Sequence, residues 1–219
     1  CTFGNIKKFT FMREKELDNF IKNALLEDIG DGDHSSIGSI PKNATKKAQL
    51  LVKDNGIIAG IELAIIIFKK VDSTLNVIKN FNDGDKVKFG DIALTVEGNC
   101  ISILTSERLV LNCMQHMSGI ASKTYYLNSL IADTRCKLLD TRKTTPLIRI
   151  IEKWAVRIGG GVNHRFGLYD MIMIKDNHID FAGGIKKAIR KTKQYLLDKN
   201  KKLDIIIEAR NINEVNEIL

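Results

Sequence analysis

The sequence predicts an α/β protein in two parts: an α+β module up to about residue 105, then a parallel sheet or α/β barrel. Three observations predict it. Short strand-like runs in the first part are punctuated by Asn55-Gly56, Asp83-Gly84 and Phe89-Gly90, dipeptides that mark turns. A long helical pattern follows, TSERLVLNCMQHMSGIASKTYYLNSLIA. Beyond it come KLLDT, MIMIK and DIIIEA, each short, strongly apolar and ending in polar residues, with helical stretches between them. Continuous apolar strands alternating with helices indicate a parallel sheet covered on both faces.

Taken in order, EKELDNFIKNALLEDIGDGD places Leu17, Phe20, Ile21, Ala24 and Leu25 on one helical stripe that stops at Gly30. AQLLVKDNGIIAGIELAIIIFKKV reads as a strand, the Asn55-Gly56 turn, a short second strand and an apolar helix. VIKNFNDGDKVKFGDIALTVEG reads as a series of short strands. The long helix after them is expected to break near Gly119, and Pro146 is expected to open the helix after KLLDT. In KKAIRKTKQYLLDKNKK the apolar positions Ile185, Ala188, Ile189, Thr192 and Leu196 keep helical spacing, so its lysines form a solvated face. Three strand–helix units are too few to close a barrel, and the sequence is expected to be truncated at its C-terminus, Leu219.

Bulk properties narrow the function. The chain has 219 residues, 44% hydrophobic and 27% charged, ordinary for a globular protein. No apolar run approaches the roughly 20 residues that span a bilayer, and no membrane role is expected. Cys1, Cys100, Cys113 and Cys136 lack paired spacing, which suits a reducing cytoplasm rather than a zinc cluster or disulfide framework. The net charge of +8 fits nucleic acid or an anionic small substrate. A single aromatic, Tyr195, in the most basic stretch does not give the interleaving of a single-strand binder.

The candidate functional residues lie at the ends of the apolar runs, where α/β barrels carry their chemistry. Arg142 and Lys143 follow LLDT; Arg supplies a planar fork for carboxylate or phosphate, Lys a mobile point charge, and the alternative is a pair of surface salt bridges. His164 and Arg165 follow Gly159-Gly160-Gly161, a run that suits either an anion-binding loop or a flexible turn. Lys175 and His178 close MIMI. Glu208 closes DIII, as a sugar-hydroxyl or Mg²⁺ ligand or as a charge partner for a lysine. Arg108, Asn112 and Gln115 line one side of the long helix, and spacing alone makes that side solvated. No residues with metal-ligand spacing are found. Four strong cations and two histidines with few acids among them imply a substrate carrying several negative charges.

ERLVLNCMQHMSGIAS, LLDTRKTTPLIRIIEKWAVRIGGGVNHRFGLYDMIMIKDNHI and ALLEDIGDGD strongly resemble the quinolinate phosphoribosyltransferases, the carboxylating nicotinate-nucleotide pyrophosphorylases. The resemblance runs from about Asp18 to the end. It implies an N-terminal α/β sandwich domain over residues 1–110 and an open α/β barrel, incomplete in this chain, over 111–219. It implies phosphoribosyl transfer from phosphoribosyl pyrophosphate to quinolinate, yielding nicotinate mononucleotide, pyrophosphate and carbon dioxide for NAD synthesis. It further implies Mg²⁺, bound mainly with phosphoribosyl pyrophosphate, and a homodimer.

Carried over by position, Arg142, His164, Arg165 and Lys175 match the family's quinolinate-site cations, and Lys143 and His178 line the same pocket nearer the pyrophosphate. Glu208 matches a glutamate near the ribose, and Lys143, Lys175 and Glu208 carry the catalytic roles. Arg108 matches an arginine inserted into the neighbouring subunit's site. The sequence departs from the family where Ile206 stands in a usual Glu-x-Glu and Arg210 at a common acid. The family's Leu-Asp-Asn strand and Gly-rich phosphate loops would lie beyond Leu219. A sister enzyme acting on another base, and a carrier or nucleic-acid-binding module, are the rival readings. The carrier reading lacks a modifiable hairpin lysine flanked by methionines.

Overall fold

The computed structural model describes residues 6–219, with side chains from residue 14 onward; Cys1 lies outside the described residues. Two compact units are present, Cys1–Asn163 and His164–Leu219.

The first unit opens with α1 (Ile6–Ile29), ended by Gly30 at φ +56, and a short α2 (His34–Ser39) capped by Asp33, which accepts from the Ser36 amide at 3.0 Å. A three-stranded antiparallel sheet follows in the order β1-β5-β3, with β1 Thr45–Leu51, β3 Asn76–Lys79 and β5 Ile92–Asn99. Central β5 pairs on both sides, Val96 facing Ala48 and Val77, and buries four residues in a row, Ala93 to Val96. Between β1 and β3 run β2 (Gly56–Ile57) and the apolar helix α3 (Ile61–Val71); β4 (Lys86–Val87), after β3, pairs with β2. The turns at Gly84 (φ +97) and Gly90 (φ +90) adopt the left-handed backbone that glycine tolerates.

Helix α4 (Cys100–Ser129) grows directly from β5, its start capped by the Asn99 side chain, which accepts from Ile101 and Ser102 amides. Its buried residues Ile103, Ser106, Val110, Cys113, Met114, Met117, Ala121 and Thr124 recur every three or four positions, which places one face in the core. The helix passes unbroken through position 110 and through Gly119, contrary to the expected break; a Cβ at Gly119 would meet open space, so nothing there forces one. Main-chain segments dock on α4 through small residues. Ser118 Oγ accepts from the Ala59 amide at 2.9 Å and Ser122 Oγ from the Ile57 amide at 2.8 Å.

KLLDT does not form the expected strand. Among the described residues its backbone makes a single parallel bridge there, Leu139 to Val162, and both residues are exposed. Pro146 does not open a helix: it sits in a turn with Leu147 at φ +69, and α5 begins three residues later (Arg149–Ile158). A proline ring fits a turn position equally well, since its fixed φ suits both.

In the second unit, β6 (Ile172–Ile174) and β7 (Ile205–Ile207) pair in parallel, with α6 (Asp176–Ala182) and α7 (Ile185–Asp198) between them and α8 (Ile212–Ile218) after. A right-sized crossover of helix joins two parallel strands, as an α/β sheet requires. Ile174, Ile179, Ile185 and Ala188 form its core, and the α7 lysines face solvent as expected. Among the described residues no helix is long and apolar enough to cross a membrane.

Candidate functional site

In the first unit Arg142 and Lys143 lie on the irregular loop 140–145. The loop is braced at its start by a buried polar cluster. Lys153 Nζ, 3% exposed, meets Asp140 Oδ1 at 2.5 Å, and Asn163 Nδ2 donates to Asp140 Oδ2 at 2.6 Å and to the Lys153 carbonyl at 2.8 Å. Both carboxylate oxygens of Asp140 are therefore engaged, which is what makes a buried charge tolerable. Within the loop the Lys143 amide donates to Thr141 Oγ1 at 3.0 Å. Arg142 is half-buried, and its Nε is buried with no hydrogen-bond partner among the described residues; Lys143 is exposed. Arg108 lies on the exposed side of α4 with Asn112 and Gln115, as spacing predicts for the isolated chain.

The glycine run does not cradle an anion by its own geometry. A Cβ at Gly159 would stand 2.4 Å from the Ala121 carbonyl oxygen and 2.7 Å from Thr124 Cβ, and one at Gly161 2.7 Å from Val156 Cγ1. The glycines let the chain pass tightly against α4 and α5, and Gly160 (φ +88) supplies the turn.

In the second unit Arg165 is 8% exposed and its guanidinium donates to the Met171 carbonyl at 3.3 Å; His164 is half-buried. Phe166 and Gly167 amides donate to Asp170 at 2.6 and 2.9 Å, which folds the FGLYD loop back on itself. Lys175 and Glu208 occupy the C-terminal ends of the paired strands β6 and β7, and Lys175 Nζ meets Glu208 Oε1 at 3.1 Å. The Lys175 amide donates to His178 Nδ1 at 2.9 Å, so Nδ1 carries a lone pair, and the histidine is exposed. Lys175, His178 and Glu208 are thus brought together at one strand-end cluster. The expectation of cations with few acids is corrected here: Glu208 partners Lys175. Arg210 is likewise partnered, by Asp180 and Glu214, whose carboxylates hold its guanidinium firmly charged.

Among the described residues no group of three or more His, Cys, Asp or Glu is placed to hold a metal. A shallow depression along α7, lined by Lys186, Ile189, Arg190, Lys193, Gln194 and Leu197, contains none of the site residues. Sequence reasoning missed Lys153 and Asn163. Their partner Asp140 lies 13 and 23 positions away across a loop, beyond the reach of helical or strand periodicity.

Two domain families cover nearly all of this arrangement. The quinolinate phosphoribosyl transferase N-terminal domain matches residues 31–118, and the C-terminal domain of the same family matches residues 120–219. A probable carboxylating nicotinate-nucleotide pyrophosphorylase from Synechocystis is 40% identical over 93% of this chain and 68% of its own length. The chain belongs to the quinolinate phosphoribosyltransferase family. A decarboxylating quinolinate phosphoribosyltransferase from Nicotiana tabacum is 47% identical over 93% of this chain. The chain spans 58% of that relative's length. NadC from Streptococcus pyogenes shares the fold with a TM-score of 0.86 at 38% identity, covering 92% of this chain and 70% of its own. The mixed α/β architecture of the chain therefore matches that of a solved family member.

Proposed function

We propose that the protein transfers phosphoribosyl from phosphoribosyl pyrophosphate to quinolinate and releases pyrophosphate and carbon dioxide, leaving nicotinate mononucleotide. It acts as a carboxylating nicotinate-nucleotide diphosphorylase in NAD synthesis. The observation that carries this reading, within a chain of this family, is the buried Nε of Arg142, without a hydrogen-bond partner among the described residues, beside exposed Lys143. A desolvated guanidinium N–H needs an acceptor, and a carboxylate held by the planar fork supplies one.

The roles follow the family positions. Arg142, His164, Arg165 and Lys175 hold the two quinolinate carboxylates so that the ring nitrogen faces ribose C1. The C1–oxygen bond to pyrophosphate loosens toward an oxocarbenium-like state, and the ring nitrogen takes up C1. The nitrogen's positive charge then draws in the electron pair of the adjacent carbon–carboxylate bond, carbon dioxide leaves, and the ring carbon left with that pair takes a proton from solvent to give nicotinate mononucleotide. Lys143 and His178 stabilise the departing pyrophosphate, and Glu208 steadies the ribose. Glu208 presents one carboxylate at a strand end, a donor set that suits Mg²⁺ arriving with the diphosphate, where the ion would neutralise charge on the leaving group. In the proposed homodimer Arg108 completes the partner's site. The cations serve this anionic substrate pair rather than nucleic acid, and a reducing cytoplasm suits the free thiols of Cys100, Cys113 and Cys136.

Calorimetry with the full chain tests the substrate assignment. Two carboxylate contacts predict far tighter binding of quinolinate than of nicotinate, which lacks one carboxylate. Equal affinities would favour a sister enzyme acting on a different base.

A further inference from the structure

The loop that carries Arg142 and Lys143 has no regular structure of its own, yet it is tied down at both ends by one helix. At its start, Asp140 is held by Lys153. At its end, Thr144 Oγ1 accepts from Arg149 Nε at 2.9 Å, and the Thr145 amide donates to Glu152 Oε2 at 3.1 Å. Arg149, Glu152 and Lys153 stand at i, i+3 and i+4 on α5, the spacing that puts three side chains on one helical face. The other oxygen of Glu152, Oε1, lies 2.9 Å from His116 Nε2 on α4, so the same carboxylate is itself oriented from a second helix.

We propose that Glu152 is a positioning residue, and that the α5 face Arg149–Glu152–Lys153 sets where Arg142 and Lys143 meet an anionic substrate. The proposal rests on the assignment of Arg142 to the quinolinate carboxylates; Lys143 acts on the departing pyrophosphate, in the transition state rather than in binding. Glu152 is the informative member. Lys153 lies in a buried ion pair whose loss would endanger folding, whereas Glu152 bears on the loop through one amide and on α4 through one histidine. A free six-residue loop samples many backbone states, and a bidentate grip requires that the fork be held before the ligand arrives. Tethering only one end would leave the Arg142 guanidinium to swing on the untied half.

The test uses the full chain and two independent readouts. The first is amide hydrogen exchange at residues 141–145. Glu152→Ala should speed exchange at Thr145 about tenfold, while Glu152→Gln, which keeps a carbonyl acceptor, should stay close to wild type. Thr144→Val, which cuts the Arg149 tether from the loop side, should act in the same direction and serves if Glu152→Ala does not fold. Unchanged exchange in the folded tether variants overturns the clamp.

The second readout is steady-state kinetics. Glu152→Ala should raise the KM for quinolinate about tenfold with the KM for phosphoribosyl pyrophosphate within about twofold, and Glu152→Gln should restore it. An equal rise in both constants, or a drop in melting temperature with no change in either, overturns the positioning role. Wild-type protein that turns over no quinolinate refutes the substrate assignment instead, and the exchange measurement then still decides the clamp.

Discussion

Gly159→Ala separates two readings of the glycine run. The residue has φ −73, a backbone any amino acid can adopt, so conformational freedom is not what it contributes. It contributes space. The added methyl carbon would lie 2.4 Å from the Ala121 carbonyl oxygen, 2.7 Å from Thr124 Cβ and 3.0 Å from Ala121 Cα. Carbon–oxygen and carbon–carbon contacts cannot be that short, and two of the three atoms are backbone of a thirty-residue helix. They cannot swing aside as a lysine tip could, so α4 and the end of α5 must separate. Overpacking of this kind costs about 1–3 kcal/mol, with backbone collisions at the upper end. For a chain of this size that lowers the melting temperature by roughly 2–12 °C. Differential scanning calorimetry without any ligand reads the effect directly. An anion cradle would behave the opposite way, with melting unchanged and substrate affinity reduced. A Gly159→Ala protein that melts like wild type would refute the packing argument.

Four further outcomes are expected. Lys153→Met leaves the Asp140 carboxylate buried with only part of its hydrogen bonding; the cost should be about 3–5 kcal/mol in urea unfolding, and Asp140→Leu added to it should recover part of the loss rather than add to it. Under the proposed homodimer, Arg108→Ala and Lys175→Ala proteins should each lack turnover, and co-refolding them should restore activity toward one intact site per mixed dimer; mixed dimers that form but stay inactive would place Arg108 outside any shared site. Hydrogen bonds from Thr74, then from Ser102, hold the Asp72 carboxyl below its usual range. A carboxyl lowered by folding stabilises fully above its unfolded value of about 3.9 and loses that contribution as pH falls through the folded value, so Asp72→Asn should flatten the acid limb of a stability–pH curve. Burial pushes Asp83 up, which acts with the opposite sign and should leave that limb steeper in Asp83→Asn.

Local pattern was enough to read most elements from the residues alone. Leu17, Phe20, Ile21, Ala24 and Leu25 repeat at helical spacing because one side of α1 must face apolar neighbours, and the same logic exposed the solvated lysines of α7. Asp83-Gly84 and Phe89-Gly90 announced turns because few residues other than glycine accept φ near +90 without strain. The parallel pair β6–β7 was legible as two apolar runs separated by helix, and with it the placing of Lys175 and Glu208 at neighbouring strand ends. The family likeness rested on a longer span, above all residues 107–122 and 138–179.

Tertiary structure alone decided the rest. KLLDT has the composition of a strand, yet a strand needs a partner along its length, and only Val162 bridges it in the described residues. The glycine run allowed both a ligand loop and a close helix approach, because sequence records the missing side chain but not what occupies its place; Ala121 and Thr124 occupy it. Glu208 carries no sign in its own neighbourhood of a counter-charge, and the fold sets Lys175 Nζ 3.1 Å from it. Lys153 carries no sign in its own neighbourhood that it is buried. A charge can be taken from water only where a specific counter-charge waits, and Asp140 is brought there by the fold of the whole loop, not by its distance along the chain.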